Sequence, residues 1–137
     1  ASSDLRRARD TAVAIGECVR VPIHESADLR EMHFGAWEGR TWAALEVEDG
    51  EELATWMAHW QVAAPPGGET VAQLQQRVAT VLRRLSLRPE RRMLVVSHAG
   101  WIRVALCLLQ NRPVCEMFDI TVPHAQPIVL SVARHLL

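Results

Sequence analysis

The 137-residue chain has no apolar run approaching the ~20 residues that a bilayer-spanning helix needs, and no signal-peptide-like stretch near its start. A soluble, cytoplasmic protein is the expectation. Cysteine is scarce. Cys18, Cys107 and Cys115 are odd in number and have neither CxxC nor zinc-ribbon spacing, which excludes a disulfide framework and points to buried, reduced thiols. No His-x-x-x-His pair occurs, so a metalloenzyme drawing on His24, His33, His59, His98 and His124 has no ligand spacing behind it. Net charge is also lacking. At -1, with no basic run and no acidic tail, the chain carries nothing suited to nucleic-acid phosphates or a membrane surface. Repeats and low-complexity segments are absent, and the length suits a single domain over residues 1–137.

What is present is a succession of periodic segments. Ser3 or Asp4 can cap a helix running to about Val19, with Leu5, Ala8, Ala12 and Ile15 on one face and an acid near its positive end. Residues 19–24 read as a weak strand whose Pro22 suggests an edge. Residues 29–39 are punctuated by Gly35 and Gly39 and read as a turn-rich functional loop. Between about Trp42 and Gln61, Leu45, Leu53, Trp56, Met57 and Trp60 recur at helical spacing, which predicts one or two short helices with Trp56 and Trp60 on a shared face. A Pro-Pro-Gly-Gly breaker at 65–68 precedes Thr70 and Gln73, a capping box, and the stripe Val71, Leu74, Val78, Val81, Leu82 and Leu85. Residues 93–96 read as a buried strand, about 101–110 as a helix, and 128–132 as a closing strand. Alternating helices and strands predict an α/β fold with a parallel or mixed sheet.

In such a sheet, ligands bind beyond the carboxyl ends of the strands, where the next helix points its amides. Ser97 and His98 stand at such an end, just before Gly100 and a helix. Arg7 in the first turns of the first helix and Glu31 in the loop could converge on the same rim. A guanidinium, an imidazole and a carboxylate suit phosphoryl transfer: the first two hold phosphate oxygens and the third can protonate a leaving alkoxide. Taken singly, each has a plainer reading, as a solvated helix arginine, a loop acid and a histidine that caps a turn.

Four blocks in order resemble the histidine phosphatase superfamily, in its phosphoglycerate mutase-like branch. They are Ser3-Asp4-Leu5-Arg6-Arg7-Ala8, the run from Leu29 to Gly39, Pro66-Gly67-Gly68-Glu69-Thr70, and Val95-Val96-Ser97-His98-Ala99-Gly100-Trp101-Ile102-Arg103. The second and third blocks are most similar to those of α-ribazole phosphatases, which implies dephosphorylation of α-ribazole 5'-phosphate in building the cobalamin lower ligand. The superfamily implies a three-layer α/β/α fold and a phosphohistidine mechanism with no metal and no cofactor, acting on a small-molecule phosphomonoester. By match of position, Arg7 is the phosphate-clamping arginine, Glu31 the general acid and His98 the phosphate-binding second histidine. Gly68-Glu69-Thr70 is expected to support the rim structurally.

The resemblance also implies a nucleophilic histidine in an Arg-His-Gly triplet at the end of a first strand, and no such triplet occurs. Arg134-His135-Leu136 lacks the glycine and is read as coincidence. The expectation is therefore one more strand and loop before Ala1, with the 137-residue form inactive by itself. The alternatives are a broad-specificity phosphatase or mutase-like enzyme, and a non-catalytic phosphate-binding or interaction domain. Trp37, Trp42, Trp56 and Trp60 are expected to pack a small subdomain over the pocket; the rival reading has one or two of them stacking on a planar substrate ring.

Overall fold

The computed structural model describes residues 1–131, and they form an α/β fold in which helices dominate and the sheet is small and parallel. The chain divides into two compact units, residues 1–31 with 77 onward, and residues 32–76.

In the first unit, β1 (Ser2–Ser3) pairs in parallel with β2 (Glu25–Ser26), and Ser2 also bridges in parallel to Val96. Residues 93–96 are therefore not the expected buried strand. Met93 and Leu94 are exposed, and among the described residues only Val96 makes a sheet contact. The predicted strand at 19–24 is likewise absent: α1 (Arg6–Val19) ends where expected, in a left-handed Arg20, and the strand pairing starts only at Glu25. Of its β-branched residues, Val19 and Val21 are exposed and Ile23 packs against α1. Gly16 lets Ile23 approach so closely that a Cβ at position 16 would sit 2.9 Å from its Cδ1. The buried stripe of α1 is Ala8, Ala12 and Gly16, not one that includes Ile15. Its N-cap is Leu5, and its first turn holds no acid. Asp4 is drawn instead into a two-pronged ion pair with Arg30, at 2.7 and 2.6 Å.

Helix α4 (Val71–Ser86) and helix α5 (Ala99–Leu109) supply most of the remaining core of this unit. From residue 77 onward α4 buries Val78, Val81 and Leu82, and α5 buries Trp101, Val104, Ala105, Leu106 and Cys107. Cys107 is thus the buried thiol expected, and burial pushes its pKa up, but Cys18 and Cys115 are exposed. Residues 126–131 form no strand, and the rest of the predicted closing strand and the Arg134-His135-Leu136 triplet lie outside the described residues.

The second unit holds α2 (Trp42–Glu48), α3 (Gly50–His59) and the start of α4. Thr41 caps α2 through Ala44 N at 3.2 Å. The capping box is reciprocal: Gln73 Oε1 accepts from Thr70 N at 2.8 Å, and Thr70 Oγ1 accepts from Gln73 N at 3.2 Å. Trp37 and Trp56 are buried and meet edge to face at 5.7 Å, with Phe34 against Trp56 at 6.0 Å. Trp42 stacks on Trp56 at 6.2 Å and keeps 55% of its surface exposed.

Two backbone loops meet in this unit. Ala36 N donates to Pro66 O, and Glu69 N donates to His33 O. Glu69 Oε2 also accepts from His33 N at 3.2 Å, so Glu69 ties the loops together. Gly35, at φ 58°, lies against the Pro66–Gly68 backbone, where an added Cβ would overlap the Pro66 carbonyl and come 2.6 Å from Gly68 N. Gly39 has a similar φ, 74°, but open space around it. Gly35→Ala should therefore cost the left-handed penalty of about 1–2 kcal/mol plus an overpacking term of about 1–3 kcal/mol, and Gly39→Ala only the first. Urea unfolding of the two variants measures the difference, and equal midpoints would show that the loops separate without cost.

Candidate active site

The site lies wholly in the first unit. His98 is the N-cap residue of α5, but its side chain caps nothing; the ring is buried and turned toward β1 and α1. Arg7, on the second residue of α1, donates from Nε to His98 Nδ1 at 3.2 Å. Its neighbours Arg6 and Arg9 both pair with Asp10. Arg7 is exposed and pairs with no carboxylate among the described residues, so its terminal Nη groups keep their donors. Burial lowers the pKa of His98, the Arg7 and Arg77 cations lower it further, and the Glu31 and Asp4 carboxylates oppose them. The ring is accordingly neutral at pH 7.

Sequence reasoning puts the free amides of α5 at the rim; the structure gives them to Glu31. Its Oε2 accepts from Gly100 N at 3.1 Å and its Oε1 from Trp101 N at 3.2 Å. A carboxylate there satisfies the orphan donors and meets the positive end of the helix dipole. Gly100 makes room for it, since a Cβ on that residue would overlap Oε1.

The segment carrying Glu31 has almost no backbone ladder, and side chains hold its carbonyls. Asp28 O accepts from Trp101 Nε1 and from Arg77 Nη1, both at 2.9 Å. Leu29 O accepts from Ser97 Oγ at 2.7 Å. Arg30 O accepts from Arg77 Nη1 at 2.9 Å, and Glu31 O from Arg77 Nη2 at 3.3 Å. Five guanidinium donors in a fixed fork suit this task, and a lysine could not span it. Arg77 and Ser3 escape sequence reasoning. Arg77 departs from the apolar stripe of α4, a signal that looks the same as a solvated helix face, and Ser3 reads as a helix cap.

Arg7, His98 and Glu31 are thus brought to one place, by a hydrogen bond between the first two and by electrostatic action of the third on the ring. Among the described residues no group of three or more His, Cys, Asp or Glu side chains could hold a metal ion, and no helix is long and apolar enough to cross a membrane.

These features define an α/β protein with a guanidinium, a neutral imidazole and an amide-held carboxylate gathered beside a small parallel sheet. Residues 1–135 match the histidine phosphatase superfamily (branch 1), and the chain belongs to that superfamily. It is 36% identical over 121 residues to the adenosylcobalamin/alpha-ribazole phosphatase of Salmonella typhimurium, covering 88% of this chain and 60% of the relative. It is 33% identical over 126 residues to the glucosyl-3-phosphoglycerate phosphatase of Mycobacterium tuberculosis, covering 84% of this chain and 55% of that one. The crystal structure of the alpha-ribazole phosphatase from Shigella flexneri superposes with a TM-score of 0.82 at 34% identity, covering 89% of this chain and 61% of the other. The chain therefore spans about 60% of the length of the curated relatives it matches.

Proposed function

We propose that the chain is the phosphate-handling part of a metal-independent phosphomonoesterase that works through a phosphohistidine. The observation that carries this reading is Arg7, anchored by Nε on a buried neutral histidine while its Nη donors remain available. A guanidinium fixed in this way meets phosphate oxygens in a preset geometry. His98 closes the other side of the anion. Glu31 gives up its α5 amides to protonate the leaving alkoxide. In this reading the nucleophile is the imidazole of an Arg-His-Gly triplet, which these 137 residues do not contain. Its nitrogen attacks phosphorus as the P–O bond to the alkoxide breaks, and water then cleaves the P–N bond to release phosphate.

Resemblance to alpha-ribazole phosphatases in sequence and in fold supports α-ribazole 5'-phosphate as substrate. The second reading is a phosphate-binding domain without catalysis. One experiment separates them. The 137-residue chain should bind inorganic phosphate and show no turnover of p-nitrophenyl phosphate, and a form that includes an Arg-His-Gly segment should turn it over whether or not chelator is present. Absence of phosphate binding overturns the site. Turnover by the 137-residue chain alone overturns the nucleophile assignment, and an inert longer form favours the binding domain.

A further inference from the structure

Ser3 Oγ lies 2.9 Å from His98 Nε2, and the serine has no exposed surface. Its place is set by the sheet: Ser3 N donates to Val96 O at 2.9 Å, two residues before the histidine, and Ser3 Oγ accepts from Leu5 N at 3.3 Å. The other ring nitrogen decides the proton. An arginine Nε only donates, so Nδ1, which receives it, is bare, and a neutral imidazole with a bare Nδ1 carries its hydrogen on Nε2. That hydrogen points at Ser3.

We infer that Ser3 is a positioning residue for His98: its hydroxyl takes the Nε2 hydrogen and so holds the bare Nδ1, and with it Arg7, in the orientation the anion meets. The ring is held from two sides. From α1 the guanidinium donor keeps Nδ1 bare, and from β1 the hydroxyl accepts the Nε2 hydrogen and holds the ring in that orientation. The charged groups that act on the ring are Arg7 on α1, Arg77 on α4, and Glu31 and Asp4 in the flanking segments, and they oppose one another in sign. None of them supplies the acceptor that Nε2 needs, and Ser3 does. Without it, the buried Nε2–H has no partner, and the opposite tautomer, with a hydrogen on Nδ1 facing the Arg7 donor, is no longer disfavoured by comparison.

The test uses the 137-residue chain with 15N-labelled histidine, the chemical shifts of the two His98 nitrogens reporting the tautomer. The unsubstituted chain should show an Nε2–H imidazole. Ser3→Ala should show mixed tautomers and an inorganic phosphate affinity lower by about tenfold, the order of one hydrogen bond. A purely structural serine would change the melting temperature and leave the ring shifts where they were, which overturns the inference. An Nδ1–H form in the unsubstituted chain overturns it directly, with no variant needed. The phosphate arm rests on the proposed function, and the tautomer arm does not. If the shifts move as stated while even the unsubstituted chain fails to bind phosphate, the positioning role stands and the phosphatase reading falls.

Discussion

Glu31→Gln, in a form that turns over, is expected to slow hydrolysis of an alkyl phosphate such as a nucleoside-like 5'-phosphate by about 10²–10⁴-fold, the usual worth of a positioned proton donor. Hydrolysis of p-nitrophenyl phosphate should fall far less, because nitrophenolate leaves without a proton. The split matters because Glu31 has two occupations. As a helix cap it only holds Gly100 N and Trp101 N. Glutamine keeps one oxygen for those amides and so preserves much of the cap while removing the acid. A capping role therefore predicts equal, small losses on both substrates. Steady-state rates on the pair decide, and parallel losses would remove Glu31 from the chemistry.

Arg7→Ala and His98→Ala should each lower turnover by about 10²–10³-fold, the cost of removing one preorganised donor. The two losses should not add. Arg7 Nε is spent on His98 Nδ1, so removing either side chain disorders the other, and the double variant should be little worse than the single ones. Arg7→Lys should recover little, since an ammonium cannot hold the ring through one nitrogen and the phosphate through two others. Circular dichroism checks that the helices persist. Near-normal kcat/KM in either alanine variant, or strictly multiplicative losses, would take the pair apart.

The helices were readable in the sequence wherever local chemistry and long-range packing agreed. Thr70 and Gln73 cap α4 as their spacing predicts, and the apolar stripe behind them is buried at Val71, Leu74, Val78, Val81 and Leu82. The strands were readable only in part. Residues 19–24 have β-branched composition, yet Ile23 is used against Gly16, a contact that needs no pairing and leaves no periodic trace. Residues 93–96 are apolar without being buried, since a single bridge at Val96 is all the sheet takes from them. Arg7 and His98 stand 91 residues apart; their places at the ends of elements and the match of ordered blocks both pointed to one rim, but neither showed the hydrogen bond between them. The use Glu31 makes of the α5 amides was not legible, because a loop acid and a helix start 69 residues away carry no mark of each other. Ser3 and Arg77 were hidden for a related reason: each has a commonplace local role that its sequence context satisfies.

The bonds that define the site are among those that span the most chain: 91 residues from Arg7 to His98, 95 from Ser3 to His98, and 69 from Glu31 to Gly100. Closing loops of that size costs entropy before any contact returns it, so such contacts belong to the late, cooperative part of folding. α4 can form from its own capping box and stripe, whereas the imidazole acquires its surroundings only when the first few residues reach the start of α5. Helix content and site integrity are then different clocks. In hydrogen exchange, Gly100 and Trp101 should open with the whole first unit and not with the fraying of α5, and a bound anion should slow that global opening while leaving the ends of α4 as they were.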